Sequence, residues 1–472
     1  MTIIKIKKGL DLPVSGAAQK TVAETPYIST FAVKPTDYVG LTPKLLVAEG
    51  DAVAAGEPLL CDKNRPQILF PSPVSGTVKE IVRGEKRLLE AVVVEKQEGW
   101  RAEPAEDWQT PGTREELVPQ MLQSGMWTLL RQRPFGIIPS PESKPKAIFV
   151  SGFDSAPLGM DYDFALQGRD ADLAAGVKGL QTLGGCPVHL SFRPGQRLAS
   201  LAEGWRSQQV EVHYFDGPHP AGNIGTQIAH VSPLNKGEQV WCIELQDLAI
   251  MGRWLRTGAA DFRKVAAVAG PNIKNPQHYR ITAGACVSQI VADQLLHTDY
   301  PQIASDVEKS RIISGNMLCG TQIAADGYMG AHDSLLTILP EGDYYDFMGW
   351  LMPGLQKYSF SRTFWSGYVP RWLHCIFKDV PPFMSPKFDT NRHGDVRPLV
   401  FTGGFERVFP FDIYPTQLIK ACIIGDIELQ ERLGIYEVEP EDFALCEYID
   451  TSKTDIQPII REALETLRKE AL

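Results

Sequence analysis

Residues 47–60 read Val47-Ala48-Glu49-Gly50-Asp51-Ala52-Val53-Ala54-Ala55-Gly56-Glu57-Pro58-Leu59-Leu60, a V-x-x-G-D-x-V-x-x-G-x-x-L pattern, and Pro71-Ser72-Pro73-Val74-Ser75-Gly76-Thr77-Val78 follows it. Gly50 and Gly56 supply turn positions where positive φ is cheap, and the valine between them packs inward. Short strands between Gly/Pro turns continue through the first hundred residues. Together they predict a small flattened β-barrel sandwich over residues 1–100.

The paired segments look like the two halves of a biotinyl/lipoyl-type hammerhead, and Asp62-Lys63 falls near the point where a carrier domain presents its modified lysine. Lys63 is followed by Asn64-Arg65-Pro66, however, and the spacing to Ser72-Pro73 is longer than a lipoyl domain would have. A rigid docking module is the preferred reading.

The chain has 472 residues, 47 Lys+Arg against 57 Asp+Glu for a net charge of −10, and 43% hydrophobic residues. This length suggests about three domains, with ample apolar side chains for several cores, and it excludes disordered, collagen-like and low-complexity classes. The acidic balance and the lack of a basic stripe argue against a nucleic-acid partner. Met1 to Gly9 is interrupted by lysine too early for a signal peptide. No run approaches the roughly 18 apolar residues that span a bilayer. A soluble cytoplasmic chain is expected, held at any membrane by other subunits.

From Trp100 to Lys146 the sequence turns acidic and then proline-rich (Pro134, Pro139, Pro141, Pro145), which reads as a linker or domain edge over 101–146. Ala147 to Gly152, an amphipathic stretch from Asp172 to Leu183, and the apolar segments Pro187 to Phe192 and Val210 to Phe215 alternate as βαβ units do. They predict a Rossmann-like α/β domain over 147–257. The rhythm between Val265 and Asn316 suits a β-grasp unit over 258–330. A mainly helical domain is expected over 331–472, with Asp426 as an N-cap, Gly434 as a stop and Thr454-x-x-Gln457 as a capping box opening the terminal helix. The long Pro-rich loop Asp379 to Pro398 reads as a subunit contact. The fold class is therefore α/β multi-domain with four modules.

Chemistry is harder to find. The eight cysteines are at least 24 residues apart and form no C-x-x-C, so iron–sulfur and zinc ligation lack local support, and buried free thiols are expected. Neither His213 with His219 nor His332-Asp333 makes the i, i+4 pair of a helical zinc site, and no metal site is expected. Gly222-Asn223-Ile224-Gly225 lacks dinucleotide spacing, and no G-x-x-x-x-G-K-[ST] or G-x-S-x-G occurs. Glu437, Glu439, Glu441 and Asp442 read as a solvated helix start. Arg131-Gln132-Arg133-Pro134-Phe135 sets cations beside an aromatic, a group able to hold a planar carbonyl compound or an acidic patch of a partner, although a solvated linker is the simpler reading.

Segments along the whole chain resemble those of the A subunits of bacterial Na+-translocating NADH:quinone oxidoreductases: Lys8 to Gly16, Ser72 to Val78 with Arg83 to Arg87, Ser151 to Leu158, Gln246 to Ile250, Ala269-Gly270-Pro271, Leu339 to Gly342, and Glu406 to Thr416. That family is similar to the C subunit of Rnf-type complexes and, remotely, to the flavin subunit of respiratory complex I, whose G-x-G-G-A-G-F-P loop cradles flavin phosphate. Here the corresponding region runs from Gly125-Met126-Trp127 to Gly136, with bulky side chains in place of the glycines. The Rnf relative's C-x-x-C-x-x-C ligands are reduced to Cys446, with Asp450 four residues on.

The resemblance implies a peripheral subunit on the cytoplasmic face of the bacterial inner membrane. It would belong to a complex that oxidises NADH, passes electrons through flavins and an iron–sulfur cluster in other subunits, reduces quinone (ubiquinone) and exports Na+. The chain would cap integral membrane subunits beside the quinone site, with no redox cofactor and no catalytic residue of its own. Arg133 and Phe135 are expected near quinone or a membrane-subunit surface. The competing readings are a lipoyl or biotinyl carrier and an Rnf-like electron-carrying subunit.

Overall fold

The computed structural model describes residues 2–291, 294–295, 310–345 and 386–470 and, between the last two stretches, 348–349, 351–352, 354, 356–361 and 364. The glycine motif folds as its spacing demands. Gly50 and Gly56 both have positive φ; Gly50 N–H donates to Val78 O (2.8 Å) and Gly56 N–H to Ser72 O (2.9 Å), so each turn of the first half is tied to the second half. The result is a barrel sandwich. A four-stranded sheet (Thr30–Val33, Leu89–Lys96, Gly76–Arg83, Ala52–Val53) faces a three-stranded one (Pro43–Leu45, Pro58–Asp62, Leu69–Pro71). Val53, Leu60, Phe70, Val78 and Val92 fill the space between them.

The second unit is a six-stranded sheet built from β1 (Ile3–Lys5), β2 (Arg131–Arg133), β3 (Ile148–Ser151), β4 (Val188–Phe192), β5 (Val210–Asp216) and β6 (Val240–Cys242), in the order β1-β5-β4-β3-β6-β2. All neighbours are parallel except β2, which runs antiparallel to β6. Helices α2 (Asp170–Gly184) and α4 (Leu245–Thr257) pack together on one face, and α3 (Ile224–Val231) lies on the other. The helix pair comes very close: a Cβ at Gly252 would sit 1.8 Å from Asp172 O, so only glycine fits there.

Two segments in the first 146 residues depart from the sequence reading. Residues 101–146, expected as a linker or domain edge, contribute α1 (Arg114–Gln123) and the edge strand β2, because the prolines at 134, 139, 141 and 145 fall after the strand and leave its three residues free to pair. The amino terminus, assigned to the barrel, supplies β1 to this sheet and a strand at Gln19–Val22 to the next.

The third sheet has the order Thr321–Ile323, Ser310–Ser314, Leu335–Pro340, Arg263–Ala269, Gln277–Thr282, Gln19–Val22. Leu335–Pro340, expected in the helical segment, is buried at every position inside this sheet, as a continuous apolar run should be. The last unit is helical: Pro415–Ile424, Ile427–Arg432, Ala444–Ile449 and α5 (Ile456–Glu470). Asp426 caps its helix, accepting from Leu429 N–H at 3.0 Å, and Gly434 follows with positive φ. The expected Thr454 capping box does not form. Gln457 N–H is taken instead by Glu447 (2.7 Å), a carboxylate from the preceding helix. Of the predicted Asp379 to Pro398 loop, residues 379–385 lie outside the described residues, and 386–398 form no helix or strand.

Candidate functional site

Strand order reverses between β3 and β6. In open α/β sheets a crevice outside the carboxyl ends of the strands at such a point is the usual ligand position. Here that position is filled by paired charges. Arg131 and Arg133, two apart on β2, project to one side of the sheet. Arg131 pairs with Glu244, immediately before α4. Arg133 is 4% exposed and meets three carboxylates of the helical unit: Asp442 at 2.9 Å, Glu439 at 3.7 Å, and Glu441. Glu439 and Asp442 also cap the turn Pro440–Phe443 reciprocally, with Glu439 N–H donating to Asp442 at 2.9 Å.

The expected solvated helix start is therefore the acidic receptor for Arg133, and the acidic patch anticipated on a partner is the chain's own. Burial raises the Asp442 carboxyl to about 6 against the pull of Arg133. Burial also acts on Glu441, but Arg133 and Arg131 outweigh it and hold that group below its ordinary range.

Asp442 also occupies a telling position. The first turn of α3, whose free N–H groups would receive a phosphate in a nucleotide-binding sheet, faces it: a Cβ at Gly225 would lie 2.4 Å from Asp442 Oδ1 and 2.5 Å from an Arg133 guanidinium nitrogen. The anion-favouring end of α3 is filled by a side chain.

Phe135 has φ +86. Its ring stands edge-on to Tyr436 (6.2 Å) and its carbonyl accepts from Arg461 (2.8 Å), both from the helical unit. The two residues singled out in the sequence thus share one structural fate. They grip residues 436–461.

The rest of the site is equally engaged. Asp154 accepts from Ala156 N–H (2.8 Å) and Met160 N–H (3.2 Å), and burial raises its carboxyl. Ser155 Oγ lies 3.1 Å from His219 Nδ1 and accepts from Gly222 N–H (2.8 Å), which latches the loop after β3 to the loop after β5. Burial pushes His219 down to about 4, so it is neutral at physiological pH. On the barrel side, Asp62 accepts from Arg65 (3.1 Å), and Arg65 donates to Ile138 O (2.9 Å), fastening the Lys63 turn against the second unit.

The seven described cysteines carry no disulfide, and Cys446 is buried. A cavity of about 530 Å³ lies between the third sheet and the helical unit, lined by residues including Arg311, Leu339, Phe388, Tyr448 and Lys453. A further constellation escaped the sequence reading: His189, Glu211 and His213 converge on β4 and β5. Its only sequence signal was the Glu211-x-His213 alternation, which places both side chains on one strand face.

Three family models match in chain order: "NqrA N-terminal barrel-sandwich hybrid domain" over residues 4–97, "NqrA second alpha/beta domain" over 112–260, and "NQRA C-terminal domain" over 265–325. The Na(+)-translocating NADH-quinone reductase A subunit of Serratia proteamaculans is 35% identical, covering 99% of this chain and 100% of its own. The corresponding A subunits of Rhodopirellula baltica (35%, covering 99% of each chain) and Neisseria meningitidis serogroup B (36%, covering 99% and 100%) are similar throughout. The chain belongs to the NADH-quinone reductase A-subunit family. A solved NAD+-reducing [NiFe]-hydrogenase matches with TM-score 0.33 at 14% identity over 48% of this chain and 47% of its own, too little to bear on the fold. Among the described residues no helix is long and apolar enough to cross a membrane. Family membership thus comes from the whole chain, while the charged site describes how its parts are joined.

Proposed function

We propose that this chain is the peripheral A subunit of a Na+-translocating NADH-quinone reductase, docked on integral membrane subunits at the cytoplasmic face. The complex oxidises NADH, reduces quinone to quinol and exports Na+. The observation that carries this reading is end-to-end similarity, at 35% identity over 99% of the chain, to proteins of that name. The second unit serves as a Rossmann-like scaffold and the third as a β-grasp module.

The chain works without a redox cofactor of its own; flavins and the iron–sulfur cluster reside in other subunits. Two features support this. Bulky residues from Met126 to Phe135 stand where flavin-binding relatives have glycines, and Asp442 fills the anion-favouring end of α3. Arg133 and Phe135 serve as positioning residues for quinone or a neighbouring subunit, through the orientation of the helical unit they hold.

The test is to delete the chain from a host carrying the remaining subunits. Na+-stimulated NADH oxidation by membranes should disappear, and restoring the chain should recover it together with co-purification of the integral subunits. Activity that persists without the chain overturns the reading. Visible absorption by the purified chain would favour the Rnf-like electron carrier, and an intact mass raised by a lipoyl or biotinyl group would favour the carrier protein.

A further inference from the structure

We infer that His189, Glu211 and His213 form a binding site for a divalent transition metal of the zinc class. β4 and β5 are parallel neighbours in which His189 stands opposite Glu211, and His213 lies two residues further along the same face. His189 Nδ1 is 3.0 Å from His213 Nε2 and 3.7 Å from a Glu211 carboxylate oxygen, which is 3.6 Å from His213 Nε2. Zinc bonds of about 2.0–2.1 Å in a tetrahedron require donors about 3.3 Å apart. The three observed edges straddle that value, so a cation can be seated with small side-chain shifts.

The surroundings suit a built site. His189 is 6% exposed, and its ring packs on Phe149 (4.7 Å between centroids), which limits its rotation. His213 is part-buried and Glu211 open to solvent, leaving an entry path and room for water as fourth ligand. Each imidazole has a second ring nitrogen to carry its proton, so both facing nitrogens can offer lone pairs at once. The nearby cation Arg206 is occupied by Glu203 and by Val212 O (2.7 Å), which lessens its repulsion of a bound ion. Two imidazoles and one carboxylate favour zinc-class ions over calcium or magnesium, which prefer all-oxygen shells. Nothing in the proposed role within the reductase calls for this site, so the two readings stand independently.

Chelator-treated full-length chain should bind one equivalent of Co2+ with the strong visible absorption of a tetrahedral nitrogen/oxygen site, and Zn2+ should displace it. His213→Gln and Glu211→Gln, both at solvent-reached positions, should melt like the parent in chelator yet bind at least tenfold more weakly. His189→Gln should lose binding. Zn2+ should raise the melting temperature of the parent most, of His213→Gln and Glu211→Gln less at the same concentration, and of His189→Gln not at all. The proposal fails if no stoichiometric binding occurs, if binding is unchanged in His213→Gln, or if Co2+ shows thiolate charge-transfer bands that assign it to cysteine.

Discussion

The first three units and the helical unit are held in different ways. Leu60 and Phe70 of the barrel, Trp127, Val150 and Leu248 of the second unit, and Ala267 and Leu336 of the third belong to one continuous apolar cluster. The helical unit has its own core, in which Phe409 stacks on Phe411 (4.7 Å) and packs on Phe443 (4.8 Å). Leu12, Leu318, Phe135 and Ala229 of the rest pack against that core, and directional polar links join them there: Arg133 to Asp442, Lys236 to Glu431 (2.7 Å), Arg461 to Phe135 O, and Gln457 to Leu318 O (2.9 Å). Burial of apolar surface is non-directional and tolerates small shifts, whereas charged hydrogen bonds fix an orientation. The difference suggests a rigid three-part body carrying a helical unit whose angle is set by a few side chains.

The largest effect should come from the shared core. Trp127 is fully buried, donates to Pro139 O (2.9 Å) and meets Trp241 edge-on (5.5 Å). Trp127→Ala should destabilise by about 4 kcal/mol, and denaturant unfolding should show the barrel and the second sheet shifting together. Separate transitions for the two would break the idea of a single body.

Arg133→Met comes next. Removing one member of a buried charge cluster costs about 3 kcal/mol, the low end of the usual range because Glu441 is 30% exposed. The loss should fall on docking of the helical unit. Hydrogen exchange and proteolysis within residues 405–470 should accelerate while the main-body transition stays in place. If both regions destabilise equally, the helical unit is part of the common body.

A strap at residues 6–14 links the two regions: Leu10 N–H donates to His219 O (2.8 Å), Gly9 N–H to Arg407 O (3.1 Å), and Leu12 enters the helical core. His219, with its folded pKa near 4, is protonated in the unfolded chain from about pH 6.5 downward. Between those values the unfolded state binds more protons, so stability rises with pH, and it is fully present above 6.5 and lost as pH falls toward 4. The loss should be on the order of 2–3 kcal/mol, seen as a falling melting temperature that His219→Gln flattens. An unchanged slope in the variant would remove His219 from the account.

Short-range patterns were the legible part of this fold. The Gly50 and Gly56 turns, the alternation of strands and helices and the Asp426 cap depend on neighbours in sequence, and they stand where the spacing puts them. The site was legible only as an odd pair of arginines, because the carboxylates that meet Arg133 lie 308 and 309 residues away for Glu441 and Asp442 and their receptor role depends on how the helical unit docks. The three metal-type ligands were hidden for the same reason. His189 and His213 are joined by strand register, which no local window contains. The β2 strand was missed because three residues just ahead of a proline-rich run carry too little periodicity to register.

The smallest expected effect tests the same lesson at the start of α5. Local pattern nominates Thr454 as its cap, but Thr454 Oγ1 is buried without a hydrogen-bond partner, and Glu447 accepts from Gln457 N–H instead. A hydroxyl left unsatisfied adds nothing when buried, and replacing it by a methyl group of the same shape removes a desolvation penalty. Thr454→Val should therefore be neutral or slightly stabilising, within about 0.5 kcal/mol, whereas Glu447→Gln, which weakens a charged cap, should cost about 1 kcal/mol. Both would be read from the melting of the helical unit alone. A larger loss at Thr454 than at Glu447 would return the cap to the nearby residue and make α5 a locally specified helix, not one anchored by its domain.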